Sequence, residues 1–326
     1  MKRFFLTLVL ALATLAASAQ SIDRLGIEFR GDWQFDSALS QPSRSNQSSF
    51  QGKFANFRID GTLGEGWSYS FRYRMNKVQS NPFAATDWAT VSYSIDKWDF
   101  SAGKQVVAIG GYEYDRAPID IYFASEYWQH IACYQFGASA TYKFNNSWGS
   151  KLLGQACQSP YDFNGQGLYA YNLMYMDSHS LTSVNVLEYA PGKYIGYVAL
   201  GMREECGPVS VEFDVMDRYD LDNKGTSFSA MMDVKWSVND RLNIFAHGSY
   251  DENSSEVMLD PTVRPGTNLW HLGGGVEYFP AGRKDVRFHA ASSYVFGEQG
   301  VGGALGVGDI MFQMGVTWRV NLLSKN

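Results

Sequence analysis

The sequence predicts an all-β fold, a single transmembrane antiparallel β-barrel of about sixteen strands, within bounds of about fourteen and eighteen. Three observations lead there. Apolar side chains recur at every second position, the period of a two-faced strand, and not at the 3.6 of a helix. The connections between such segments alternate long and short. The aromatic residues, 9 Trp, 20 Tyr and 21 Phe, gather at the ends of the segments.

The 326-residue chain is 45% hydrophobic and only 18% charged. So much aromatic surface and so little charge exclude a disordered chain. A formal net charge of −6 speaks against a nucleic-acid partner, because phosphate binding needs a basic surface. Residues 1–19 read as a signal peptide. Lys2 and Arg3 are its basic start, Phe4 to Leu15 its apolar core, and Ala17-Ser18-Ala19 its small-residue end. Cleavage is expected at Ala19-Gln20, leaving residues 20–326 as the barrel. No later run of 18 apolar residues exists, so no transmembrane helix is expected. Export combined with two-faced strands points to the outer membrane of a Gram-negative bacterium, with its lipid as partner.

The first strand is read at 25–36, where Leu25, Ile27, Phe29, Trp33 and Phe35 alternate with Glu28, Arg30 and Asp32. The second, at 50–61, alternates less cleanly. The third, at 67–76, sets Trp67, Tyr69, Phe71 and Tyr73 against Arg72 and Arg74. Strands at 88–95, 98–107, 130–144, 148–158, 168–177, 181–190, 194–204 and 209–219 follow. At 228–239, Phe228, Ala230, Met232, Val234 and Trp236 share one face. The last four are expected at 242–252, 268–280, 285–297 and 309–321. The even-numbered connections, such as Asp96-Lys97 and Asn239 to Arg241, are tight and rich in Asn, Asp and Gly, as hairpin turns require. The odd ones are long, except Pro191-Gly192-Lys193. A soluble two-sheet sandwich is the competing architecture. The aromatic residues decide against it. Trp67, Trp98, Trp148, Trp236, Tyr278 and Trp318 fall near one rim. Trp33, Tyr73, Phe228, Tyr250, Trp270 and Phe296 fall near the other, which makes two interfacial girdles.

A barrel of this size encloses more space than side chains fill. What lines and narrows the hole then matters most. The longest connection, 108–129, contains Tyr112, Glu113, Tyr114, Asp115, Arg116, Pro118, Asp120, Tyr122, Phe123, Glu126, Tyr127 and Trp128. Such rings are poorly placed in water, so this loop is expected to fold into the lumen, the other reading being a packed extracellular cap. Arg24, Arg30, Arg58, Arg72, Arg74, Arg287 and Arg319 fall at inward positions on strands that closure makes contiguous. Glu212, Asp214, Asp233 and Asp251 face them, with Arg218 and Lys235 among them. A basic wall opposite acidic groups sets up a transverse field that sorts polar solutes. The plainer reading is that these charges pair with one another or with Glu28, Asp32, Asp36 and Asp60. Arg72 and Arg74 are singled out, because their own strand offers no inward carboxylate.

Weaker signals absorb the rest. His247, His271 and His289 lie on neighbouring strands but at different heights, so no shared metal is expected. No cofactor is expected, and no Ser-His spacing marks a hydrolase. Gly273-Gly274-Gly275 lacks the Lys-Ser/Thr of a phosphate loop and suits close packing instead. Cys133 and Cys157 are expected to face the lumen diagonally, too far apart for a bridge.

The stretch Phe100-Ser-Ala-Gly103-Lys104-Gln105, followed by Gly110-Gly-Tyr-Glu-Tyr-Asp-Arg-Ala-Pro118, resembles the phosphate-selective porin O and P family. The Ala-Ser-Ala-Gln junction is similar to exported proteins of the Bacteroidetes. The resemblance implies a sixteen-stranded porin with a long third loop in the lumen, assembled as a homotrimer. It implies passive diffusion of small polar or anionic solutes, with phosphate among the favoured anions. A non-conducting structural or complex-forming barrel is the alternative function.

Overall fold

The computed structural model describes residues 21–37, 46–77, 82–221, 226–255 and 260–324. The leader expected at 1–19 lies outside these residues. The strands are β1 (Ser21–Ser37), β2 (Gln47–Gly64), β3 (Trp67–Arg74), β4 (Thr86–Ile95), β5 (Trp98–Val106) and β6 (Tyr134–Lys143). Then come β7 (Lys151–Gln158), β8 (Tyr169–Met176), β9 (Ser180–Ala190), β10 (Lys193–Cys206) and β11 (Val209–Asp220). The chain continues through β12 (Thr226–Asn239), β13 (Leu242–Asn253), β14 (Thr267–Tyr278), β15 (Val286–Glu298) and β16 (Ile310–Ser324). All pair antiparallel with their sequence neighbours, and β1 pairs with β16 to close the barrel. Closure leaves no free sheet edge, which is what lets strands cross a bilayer with their backbone groups satisfied.

Alternation decides which way each side chain points. On β1, Phe29 is 39% exposed while Arg30 beside it is 2% exposed. The outer face is therefore apolar, and the polar residues between are the buried ones. Trp67, Trp98, Trp236, Tyr278 and Trp318 stand exposed on that outer face. Register keeps several of them level: Tyr278 pairs with Leu242 and Phe288, and Trp318 pairs with Phe29 and Val286. A second band forms from Tyr250, Trp270 and Phe296, whose rings follow one another at 4.7 and 6.4 Å.

The tight turns occur where Asp and Gly sit. Glu65-Gly66 joins β2 to β3, and Asp96-Lys97 joins β4 to β5. Glu65 and Asp96 both adopt positive φ there. The turn between β6 and β7 is longer than expected, running from Phe144 to Ser150. That shifts the register, so Cys157 pairs with Gly137 and Cys133 falls before β6 begins. The diagonal placement expected for these two cysteines is thus corrected, and Cys133, Cys157 and Cys206 are free thiols. The long connection between β5 and β6 runs from Val107 to Cys133, longer at both ends than the expected 108–129. Its last turns coil into a helix, Glu126–His130, instead of beginning the strand.

Candidate functional site

The segment Val107–Cys133 folds because its own residues cap one another. Ser125 starts the helix Glu126–His130, its hydroxyl oxygen accepting the Trp128 N–H at 3.2 Å. Pro118 opens a single tight turn at Pro118–Asp120. Between these, the buried Glu113 carboxylate accepts the Ser125 N–H at 2.9 Å and its hydroxyl at 2.6 Å. This ties the first helical turn, Tyr112–Asp115, to the last. Burial pushes the Glu113 carboxyl up to about 7, against the opposing pull of His247 and the Ser125 bonds.

Polar side chains of the barrel hold the segment along its length. Gln155 of β7 accepts the Ala108 N–H at 2.8 Å, and Asn185 of β9 donates to the Ala108 carbonyl at 2.7 Å. Asp214 of β11 accepts the Glu113 N–H, and Asp251 of β13 accepts the Glu126 N–H, each at 2.8 Å. Arg116 pairs with Glu212 and, at 3.1 Å, with Asp233 of β12. Asp120 is shared by Arg287 of β15 at 2.9 Å and Arg319 of β16 at 2.7 Å. These two guanidiniums hold its carboxyl below the usual range despite burial. Arg30 of β1 pairs with Asp32 at 2.8 Å and donates to the carbonyls of Ile119 and Ile121. On one flank Val107, Ile109, Tyr114, Tyr127 and Ile131 form an apolar cluster with residues of β7 to β11, among them Leu187, Tyr197 and Met216. Phe123 seats against β14 because position 273 is glycine; a Cβ there would come within 2.5 Å of its ring.

Tyr122 is the centre of the arrangement. Its hydroxyl donates to Glu277 at 2.8 Å. Its ring stacks on Phe245 at 4.9 Å, with the Arg30 guanidinium 4.7 Å and the Arg287 guanidinium 5.4 Å from its centroid. Ile121, Tyr122 and Phe123 line two separate cavities. One, of about 670 Å³, is walled by the β15–β16 loop. The other, of about 540 Å³, opens toward the tight turns, with Ser210, Ser237 and Lys284 in its wall. In that second cavity Arg116, Arg203, Lys235, Lys284, Arg287 and Arg319 face Asp120, Glu212, Asp233 and Glu277.

The remaining expected residues are placed elsewhere. Arg72 and Arg74 both meet Asp87 of β4, at 3.5 and 2.6 Å, and Arg72 also reaches Glu28 at 3.0 Å. Arg58 pairs with Asp60 at 2.6 Å, and Arg24 donates to Asn321. Arg218 is buried on Asp260. Tyr112 lies under the Arg203 guanidinium at 4.3 Å, and Asp115 sits exposed beyond it. The three histidines go to separate partners: His247 to Asp233, His271 to the Ala124 carbonyl, and His289 to Asp32, each at 3.0 Å. Asp87, Arg203 and Glu277 are members that sequence reading missed. Asp87 fell just before the expected start of β4. Arg203 and Glu277 carry the right parity beside exposed Met202 and Tyr278, and parity alone would have found them.

The phosphate-selective porin O and P family model matches residues 24–198, more than half of the chain. The chain belongs to that family. No curated protein matches the sequence. The fold of this porin is similar to an anion-selective porin from Comamonas acidovorans, at TM-score 0.64 and 10% identity over 92% of this chain and 99% of that one. It is also similar to the outer membrane channel DcaP of Acinetobacter baumannii, at TM-score 0.65 and 9% identity over 91% and 96%. The trimer form of OmpT, an outer membrane protein of Vibrio cholerae, aligns at TM-score 0.59 and 11% identity over 92% and 99%. At such identities the likeness is one of fold. Family and fold together make this chain an outer-membrane β-barrel channel rather than an enzyme.

Proposed function

We propose that this porin passes small hydrophilic solutes by passive diffusion, with a preference for anions, and that the segment Val107–Cys133 lies in the lumen and narrows it. The observation that carries the preference is the turn-side cavity, where six cationic side chains face four carboxylates. Such an excess raises the local concentration of anions in a low-dielectric passage. Lys235 is exposed within it, and the guanidiniums of Arg287 and Arg319, both paired with Asp120, line it. Arg72 and Arg74, held by Asp87, contribute less to the field than their number suggests. Phosphate is one candidate among small anions, and the family description and the anion-selective relative favour that class. We also propose a homotrimer, in keeping with the trimer form of the Vibrio cholerae protein.

Planar-bilayer recording in a potassium chloride gradient tests the reading. The reversal potential is expected to report anion preference, and Lys235→Glu combined with Arg319→Glu is expected to move it toward cations. An unchanged potential in that variant sinks the mechanism. A second reading, a non-conducting barrel, is favoured by the position of Tyr122 between the two cavities. Folded barrel that shifts on gels after heating but carries no current would select it.

A further inference from the structure

The two cavities differ in chemistry, and the difference assigns the loop-side one a ligand of its own. Among the described residues of its wall the charges balance: Arg30 and Lys53 face Asp36 and Asp309. They are also engaged, Arg30 with Asp32 and Lys53 with the side-chain amide oxygen of Gln34 at 2.6 Å. A charged solute gains no net field there. What the wall offers instead is rings and amides. Phe54, Tyr122 and Trp128 are partly exposed, and the exposed Gln129 offers an amide donor and acceptor, while Gln34 and Gln313 have both amide ends bonded and Gln299 spends its amide N–H on Glu126. The volume of about 670 Å³ falls among small-molecule sites, which run from about 300 to 1,000 Å³.

Two further features belong to a built site. The Trp128 indole N–H is buried with no acceptor among the described residues, so it is the partly exposed ring and not the N–H that the cavity meets. The opposing wall is fixed in place. The buried Glu126 carboxylate accepts the N–H groups of Ala304 at 2.8 Å and Leu305 at 3.1 Å. It also accepts the Gln299 amide at 3.3 Å and bonds His130 at 2.9 Å. The loop carrying Gln299 is thereby held against the helix carrying Trp128 and Gln129.

We propose that this loop-side cavity binds neutral saccharides. The flat apolar face of a pyranose ring stacks on an aromatic side chain, its hydroxyls bond amides, and neither needs a charge. The inference rests on the diffusion-channel reading only for the route by which the sugar arrives.

Calorimetric titration of the detergent-folded barrel with maltotriose is the test, paired with bilayer recording under the same sugar. Saturable heat is expected, and maltotriose is expected to lower the channel current. Trp128→Ala should weaken binding about tenfold, the loss of one stacked ring. Gln129→Ala, at an exposed position with little to unfold, should weaken it about threefold. No saturable heat from folded wild-type protein overturns the proposal, as does unchanged affinity in both variants. A barrel that binds maltotriose but carries no current keeps the proposal and removes the channel reading. A conducting barrel without sugar heat does the reverse.

Discussion

Glu113 shows how a single carboxylate couples the segment to the barrel. It accepts two bonds from Ser125 and faces His247 at 3.6 Å, and the backbone N–H of the same residue is held by Asp214. Its folded pKa of about 7 lies above the ordinary 4.5, with burial the chief cause. A raised carboxyl binds more protons folded than unfolded between those two values. Its contribution therefore favours the seated segment at the acid end and fades as pH rises toward 7. Channel closures are expected to be fewer at pH 5 than at pH 8, and Glu113→Gln should flatten that difference in single-channel records. A profile that keeps its slope in the variant would assign the titration to another group. The identity of such residues was partly legible in the sequence. Arg30, Arg116, Asp120, Glu212 and Asp233 are brought together around the segment, all of them marked by parity or by the loop. The partners that neutralise Arg72 and Arg74 were not, because Asp87 comes from a neighbouring strand whose start was placed one residue after it. Pairing across strands depends on register, and register is not written in alternation alone.

At the scale of the element, all sixteen strands were legible, since each must keep one apolar face for lipid and one polar face within. The imperfect alternation at 50–61, 98–107 and 181–190 still produced strands, β2, β5 and β9, because their neighbours fix them by pairing on both sides. The helix Glu126–His130 was not foreseen. Five residues carry too little period to register, and its capping Ser125 acts only once Glu113 folds back onto it. Gly103 of β5 gives a test of strand integrity. It holds a φ of 123°, and a Cβ there would collide with the Ala89 carbonyl oxygen of β4. Gly103→Val is expected to disturb the β4–β5 pairing and lower the thermal midpoint of the heat-modifiable form by several degrees, consistent with about 1–3 kcal/mol of strain. A midpoint equal to wild type would mean that the strand shifts freely at this point.

For the molecule as a whole, the contacts of Val107–Cys133 fall on β1 and on β7 to β16. Most of these strands follow the segment in the chain. Gln313 and Arg319 of β16, which grip Tyr122 and Asp120, arrive last of all. The order of assembly follows from this. Until β1 and β16 meet, Arg30 and Gln313 stand on separate edges of the sheet and the segment has only part of its partners. Its seat around Tyr122 is completed when β16 meets β1 and Arg30 and Gln313 come together. Closing the cylinder and finishing the seat of this segment are thus one event. Limited proteolysis during refolding checks it: cleavage after Arg116 should stay open until the heat-modifiable form appears, then vanish with it. A cut site protected earlier would place the seat before the seam. The same geometry makes the segment a clasp across the seam, so that a barrel whose first and last strands have failed to join also lacks a finished seat for Tyr122.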